Sequence, residues 1–270
     1  MLRRALLVAI PALPAAAQAQ PRAVAWERWR AHAAGSQQRV DHAALDALLA
    51  RHRRMGGDGV ARFDYAAARG TGGALDAYLV MLQATDVAAL DRAEQFAFWA
   101  NLYNAQTLAV VLAHWPVASI RDIAISPGLF ARGPWGAKLL RFGGEALSLD
   151  DIEHRILRPL WGDARVHYAV NCASIGCPNL PGRAWRAQGL GAALDSAASD
   201  FVNHPRGAGF DARGRLVVSS IYRWFREDFG GDDAGVLAHL TRFAAPDHAR
   251  RIAARGRVDD HAYDWAINAA

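Results

Sequence analysis

Both cysteines of this 270-residue chain lie in one short segment, which carries the clearest chemical signal in the sequence. Residues 166–178 read VHYAVNCASIGCP, so four residues separate Cys172 from Cys177 in a loop that contains glycine and proline. Four interpretations stay open for this pair: a disulfide, a nucleophilic thiol, a metal site completed by histidine, or two inert thiols. A nucleophilic thiol also needs a base within reach and a lowered pKa.

Two histidines, His154 and His167, are candidates for that base. Residues 166–170 are predicted to form a strand, on which His167 and Cys172 face opposite sides. At strand rise they also lie roughly 16 Å apart. His154 belongs instead to a helix predicted to begin at a capping-box-like pair, Ser148 and Asp151, and to end before Pro159. His154 is therefore the expected base for Cys172.

The segment from Arg92 to Trp115 is the longest helical pattern, and it ends where Pro116 cannot continue a helix. Its apolar residues cover so much of the circumference that we expect a central, buried helix. Glu94 and Asn101 lie two turns apart on one face of it. We expect one of them to orient His154 or to polarise a substrate carbonyl.

The candidate residues fall into two sets. The predicted catalytic set is Cys172, His154, Glu94 and Asn101. The predicted binding set is Asn104, His167, Asn171, Cys177 and Trp224.

The remaining patterns predict an α+β domain. Helices are expected over residues 75–82 and 190–202, and a helical pattern also runs from residue 24 to about 54. Hairpins are expected around the turns at residues 143–145 and 211–214. Helices dominate, the strands are short, and no composition shift marks a linker, so residues 20–270 are expected to form one domain.

The first 19 residues have the pattern of a signal peptide. Arg3 and Arg4 precede a short apolar run, and Ala17-Gln18-Ala19 is typical of a cleavage site. The apolar run is short and interrupted by prolines, so it does not predict a membrane span. We therefore expect a periplasmic or secreted protein that begins at Gln20 and has no integral membrane segment.

Composition excludes several classes of protein. A chain that is 52% hydrophobic and 21% charged is typical of a globular protein rather than a disordered one. Without Arg3 and Arg4, 29 of the 31 basic residues remain against 26 acidic ones, so the net charge falls from +5 to +3. The chain has no nucleic-acid-binding motif, and we expect no nucleic-acid partner.

Six segments in order resemble one known family. FWANLYNA (98–105), PVASIRDI (116–123) and SLDDIEHRILRP (148–159), with residues 167–178, 220–229 and 263–268, resemble the DUF547 family. The layout implied by the resemblance is similar to papain-like and transglutaminase-like cysteine hydrolases, with a buried central helix against a small antiparallel sheet. In those enzymes the nucleophile begins the central helix. Here that helix carries Asn101 and Asn104 and no cysteine, so a thiol would have to come from Cys172.

Two functional hypotheses follow. The first is a thiol-dependent hydrolase or acyltransferase that acts on amide or peptide bonds of a peptide-like or cell-envelope ligand. The second is a non-catalytic binding or structural module with a Cys172–Cys177 disulfide. Neither hypothesis requires a cofactor or a metal.

Overall fold

The computed structural model describes residues 21–128 and 131–270, apart from the side chains of residues 71 and 72. The predicted signal peptide lies outside these residues. Helices account for about 49% and strands for 11% of the described residues, which makes this a single α+β domain, as predicted.

Ten α-helices are found in the described residues. They are α1 (Ala43–His52), α2 (Tyr65–Ala68), α3 (Gly72–Gln83), α4 (Arg92–His114), α5 (Arg158–Trp161), α6 (Val166–Ala169), α7 (Leu190–Val202), α8 (Ser220–Trp224), α9 (Asp233–Phe243) and α10 (Pro246–Arg255). A π-helical segment, Asp151–Leu157, runs directly into α5.

Within the described part of the chain, the strands form three small sheets. The strands are β1 (Arg53–Met55), β2 (Ala61–Phe63), β3 (Leu140–Phe142), β4 (Glu145–Leu147), β5 (Ala208–Phe210), β6 (Leu216–Ser219) and β7 (Asp260–Ala262). β1–β2 and β3–β4 are antiparallel hairpins. β6 pairs antiparallel with β5 and parallel with β7.

The helix α4 is the centre of the larger hydrophobic core. Every residue from 94 to 108 is buried, so the helix is surrounded over four turns. It packs chiefly against α3 and the π-helical segment. Its polar residues are therefore buried too, and each must find a partner inside the protein.

A second, smaller core lies under α7, α8, α9 and α10 together with β5 and β6. α6 lies between the two cores: Tyr168 packs into the smaller core, whereas Val166 and Ala169 pack into the larger one. All four residues of α6 are buried. Within the residues that the structure describes, no helix combines the length and apolar character needed to span a membrane.

The structure corrects three local predictions. Residues 166–169 form α6 rather than a strand. All four residues are buried, so their sequence lacks the alternation of apolar and polar residues that would distinguish a half-buried strand from a helix. Pro159 does not end the helix, since it stands in the first turn of α5, where its missing N–H costs little. Only residues 27–30 and 43–52 of the pattern from 24 to 54 are helical.

Candidate functional site

The two cysteines are free thiols that meet side by side. Their sulphur atoms lie 2.7 Å apart, and the backbone N–H of Cys172 donates to the sulphur of Cys177 at 3.0 Å. The Tyr263 hydroxyl lies 3.1 Å from the Cys172 sulphur and 3.3 Å from the Cys177 sulphur. The hydroxyl of Ser174 lies 3.0 Å from Cys172 and 2.8 Å from Tyr263. We call Cys172, Ser174, Cys177 and Tyr263 the thiol cluster.

The two thiols have opposite pKa shifts. Burial alone would raise the pKa of Cys177, but hydrogen bonds from the Cys172 thiol, the Tyr263 hydroxyl and the Cys172 N–H lower it to about 7. Burial and the neighbouring Cys177 thiolate raise the pKa of Cys172 well above its usual range. The pair therefore loses one proton near neutral pH, with the charge centred on Cys177. As whole residues, Cys172 is half-buried and Cys177 is buried.

The loop before the cysteines is held by α4. Both ends of the Asn104 amide are used: it donates to the carbonyl of Ala169 at 2.9 Å and accepts from the N–H of Asn171 at 2.8 Å. The Asn171 side chain accepts from the N–H of Ala173 and donates to the carbonyl of Pro178. Ala173 has φ of +60°, a left-handed conformation unfavourable for alanine. The predicted binding residues Asn104 and Asn171 thus position the thiols.

The C-terminal segment brings Tyr263 to the thiols. The N–H groups of Ile175 and Gly176 each donate at 2.8 Å to the carbonyls of Ala266 and Asp264. At Gly176 an added Cβ would lie 2.8 Å from the Asp264 nitrogen and 2.9 Å from its oxygen, so only glycine allows this approach. The thiol loop and the chain terminus are therefore fixed against each other.

Half-buried aromatic rings surround Tyr263. The ring of Trp224 lies 4.8 Å from Tyr263 and stacks on Trp265 at 5.4 Å. Trp265 in turn lies 4.6 Å from Tyr263 and 5.8 Å from Trp135. The predicted binding residue Trp224 is therefore connected to the thiol cluster through Tyr263.

The predicted base, His154, belongs to a separate buried group. Its Nδ1 accepts from the Arg158 guanidinium at 3.1 Å, and its Nε2 lies 3.7 Å from the Asp150 carboxylate. Burial lowers the pKa of His154 to about 4, so the ring is neutral at neutral pH. The described residues show no hydrogen bond between His154 and Cys172, and their pairing stays a prediction.

His167 is enclosed by charged partners rather than by the thiols. Its Nε2 lies 2.7 Å from Asp228 and its Nδ1 3.6 Å from Glu153, while its ring stacks on Phe225 at 4.4 Å. Burial alone would lower its pKa, but the hydrogen bonds to the two carboxylates raise it. Arg158 also pairs with Asp228 at 2.6 Å. His167 therefore stabilises a buried ion network.

Asp150 is the unusual acid of this region. Its carboxylate is half-exposed, and burial together with the charges of Glu153 and Asp151 raises its pKa to about 7. Such a group can give or take a proton near neutral pH.

Tyr103 of α4 links the two groups. Burial raises its pKa well above the usual range, and the negative charges of Glu153, Cys172, Cys177 and Asp150 raise it further. Tyr103 therefore lies within electrostatic reach of both the thiols and the acid–histidine group.

Glu94 and Asn101 have other partners. Glu94 accepts from the N–H of Val40 at 2.9 Å and lies 3.9 Å from Arg39. The Asn101 amide donates to the carbonyl of Trp185 at 3.0 Å and accepts from its N–H at 2.8 Å. Neither side chain hydrogen-bonds to His154 in the described residues, so the contacts give both a role in anchoring chain segments to α4.

Residues 87–202 match the model of a family described as "Protein of unknown function, DUF547". The chain contains a DUF547 domain. No curated protein and no solved structure matches the chain.

The DUF547 match covers α4, the π-helical segment and the thiol loop, so Cys172, Cys177 and His154 lie inside it. Trp224 and Tyr263 come later in the chain. In the described residues, no group of three or more histidine, cysteine and acidic side chains has the arrangement of a metal site.

Three residues of the site escaped the sequence analysis. Ser174 is in neither predicted set, although its hydroxyl contacts Cys172 and Tyr263. Tyr263 is distant in sequence, and its only signal was a place in the terminal motif of the family resemblance. Asp150 lies in the run DDIEH, where three neighbouring acids signal a raised carboxyl pKa.

Proposed function

We propose that this DUF547 protein is a thiol-dependent acyl-transfer enzyme that acts on amide or peptide bonds, with Cys172 as the nucleophile. The observation that carries the proposal is the 2.7 Å approach of the thiol of the half-buried Cys172 to the buried Cys177 thiol, whose pKa is about 7. A thiolate with a pKa near the working pH is a suitable proton acceptor. Cys177 is therefore the base for Cys172 in the first step.

The first step balances within the pair. The Cys172 proton moves to the Cys177 thiolate as the Cys172 sulphur attacks the acyl carbon. The carbon–nitrogen bond then breaks, and the Cys177 thiol gives the proton to the leaving amine. A thioester on Cys172 and a free amine remain, and the pair is again singly charged.

Transfer of the acyl group to water, or to another amine, completes the cycle. For water, we assign proton acceptance to His154 with Asp150. His154 is neutral at neutral pH, and Asp150 has a pKa of about 7. Water gives a proton to His154 with Asp150 as its oxygen adds to the thioester carbon. The carbon–sulphur bond then breaks, the same proton passes to the leaving Cys172 sulphur, and a carboxylic acid is released.

The acylation step can be tested without the natural substrate. The protein is mixed with 4-nitrophenyl acetate at neutral pH, and the acetylated residue is located by mass spectrometry. We expect acetylation of Cys172 in the wild type, none in Cys172→Ser, and a rate lower by roughly tenfold or more in Cys177→Ser. Equal acetylation of Cys172→Ser would contradict the nucleophile assignment.

The second step has its own variant. His154→Gln removes the proposed acceptor, so the acetyl-Cys172 form should accumulate while the acetylation rate stays close to that of the wild type. The matched control is His114→Gln, at the end of α4, where the ring lies 2.8 Å from the carbonyl of Val110 and has no other recorded hydrogen bond among the described residues. Equal lifetimes of the thioester in all three proteins would remove His154 from the mechanism.

A second candidate function rests on the same short distance. Two sulphur atoms at 2.7 Å are also placed to be joined, and a Cys172–Cys177 disulfide would make the protein a non-catalytic binding or structural module. Protein produced without reductant would then take up no alkylating label and weigh two hydrogens less. Two free thiols, one of them fast-reacting, would support the enzyme.

The site of action is also a proposal. The leader pattern of residues 1–19 supports export to the periplasm or the medium, where peptide-like or cell-envelope ligands are found. The mature mass of the exported protein should correspond to a chain that begins at Gln20. A product that retains the leader would contradict export by this route.

A further inference from the structure

A cavity of about 400 Å³ lies between β1, the segment 179–188 and the helix α7. Cys172, Tyr263 and His154 are not among its lining residues, so it is separate from the thiol cluster. Its volume falls within the range of small-molecule sites. Its lining includes Arg53, Leu180, Arg183, Trp185, Asp200 and Phe201.

Arg53 is the main polar group of this cavity. Its Nε donates to the carbonyl of Leu180 at 2.7 Å, which fixes the guanidinium in place. No carboxylate pairs with it in the part of the chain that the structure describes, and its terminal nitrogens are not used in any hydrogen bond recorded there. Burial lowers its pKa, and no acidic neighbour offsets this effect. A fixed, half-buried and unpaired guanidinium is a ready anion contact.

The charge around Arg53 also favours an anion. Arg183 is exposed at the cavity and has no ion-pair partner among the described residues. Arg186 is neutralised by Asp46 at 2.6 Å. Asp200 is the acidic residue of the lining, so two unpaired guanidinium groups face one carboxylate.

Part of the wall is apolar. Leu180 and Trp185 are buried members of the larger core, and Phe201 belongs to the smaller one, so both cores contribute apolar side chains to the cavity. A ligand here would cover an apolar wall with its body while its charged end reached the arginines. Because Asp200 would repel a doubly charged phosphate more than a singly charged carboxylate, the carboxylate fits better.

We infer that this cavity binds a small carboxylic acid with an apolar body, and that the carboxylate accepts hydrogen bonds from Arg53 and Arg183. The inference is independent of the proposed acyl transfer. It assigns a role to an arginine from the cluster at residues 51–54, whose neighbours Arg51 and Arg54 are exposed.

Isothermal titration with octanoate tests the inference on the full chain. Wild-type protein should bind octanoate in a saturable way, and Arg53→Gln should weaken binding by roughly tenfold or more, since a hydrogen bond to a charged group is lost. Arg183→Gln, at an exposed position, should weaken it as well and keeps the test valid if Arg53→Gln fails to fold. Arg54→Gln removes the same charge from the next residue of β1, outside the cavity lining, and should bind like the wild type.

Four results would overturn the inference. The first is the absence of saturable octanoate binding, and the second is binding to the Arg53 and Arg183 variants that equals binding to Arg54→Gln. Equal binding of octanamide, which has the same chain without the charge, would make the cavity a purely apolar site. Tighter binding of octyl phosphate than of octanoate would assign the cavity to phosphate ligands instead.

Discussion

At the scale of single residues, the chemistry depends on how the protein distributes protons between neighbouring groups. Cys172 and Cys177 have the same side chain, yet the donors at Cys177 stabilise a thiolate there and leave the proton on Cys172. Tyr263 remains a neutral donor, because burial and the thiolates raise its pKa well above the usual range. The site thus combines one neutral thiol, one thiolate and the hydroxyl groups of Ser174 and Tyr263.

Asp150 gives a prediction about stability at this scale. Its pKa is about 7 in the folded protein against an ordinary 3.8, so the folded state loses stability as the pH rises between these values. Asp150→Asn should therefore raise the free energy of unfolding at about pH 8. We expect a gain of about 1 kcal/mol, less than the full shift implies because the carboxylate is half-exposed.

The gain should disappear near pH 4, where the wild-type carboxyl is protonated in the folded state. Urea unfolding at the two pH values measures it. Asp76→Asn, at an exposed position of α3, is the control and should change little at either pH. A loss of stability in Asp150→Asn at about pH 8 would show that the charge is stabilising.

At the scale of elements, the contact between the thiol loop and the C-terminal segment depends on Gly176. Gly176→Ala places a methyl group against the Asp264 backbone, so the segment that carries Tyr263 must move. We expect a loss of about 1–3 kcal/mol in the free energy of unfolding, together with slower alkylation of Cys172.

Gly191→Ala is the matched control. Nothing lies within 4 Å of the added Cβ, and the residue is in the helix α7, where alanine is favoured. Urea unfolding and the alkylation rate should show an unchanged or slightly more stable protein. Equal effects of the two substitutions would argue against the close approach at Gly176.

Local patterns predicted much of the secondary structure. The bounds of α4 and α7 and both hairpins agree with the prediction, because long periodic segments and glycine turns carry strong local signals. α6 was predicted as a strand, because the pattern of a short apolar run does not separate a strand from a helix buried on all sides. Because residues 166–169 form a helix, strand geometry no longer excludes His167 as the base for Cys172. The recorded contacts of its ring are with Asp228, Glu153 and Phe225 rather than with the thiols.

The site could be predicted only in part. Cys172 and Cys177 were visible as the only thiols, and the family resemblance included residues 263–268. Tyr263 contacts the sulphur atoms beside Ser174, although Ser174 and Tyr263 are 89 residues apart in the chain. Periodicity and spacing carry no information about such a contact. The same reason explains why the partners of Glu94 and Asn101 were not foreseen.

At the scale of the whole molecule, buried histidines determine the response to acid. Burial lowers the pKa of His42, His154 and His239 to about 4 each, against an ordinary 6.5. Between these values the unfolded chain binds protons that the folded protein does not, so stability falls as the pH falls. The raised pKa of Asp150 increases stability as the pH falls, but Asp150 is one group against three histidines.

The melting temperature should therefore decrease from about pH 6.5 to about pH 4. Below that range the losses from Glu153 and Asp228 are added, since the buried ion network holds the pKa of each at about 2. Calorimetry across the range measures the change, with reversibility checked at each pH. A melting temperature that stays constant or rises as the pH falls to about 4 would contradict the neutral state of these histidines.

The proposed chemistry requires that Cys172 and Cys177 share one proton with an apparent pKa of about 7. The most direct test is the rate of Cys172 alkylation by iodoacetamide as a function of pH, with the labelled residue identified by peptide mapping. We predict an inflection near pH 7 in the wild type that moves well above that value in Cys177→Ser. If the inflection lies in both proteins at the higher pH of an ordinary or buried thiol, then Cys172 and Cys177 do not share a proton.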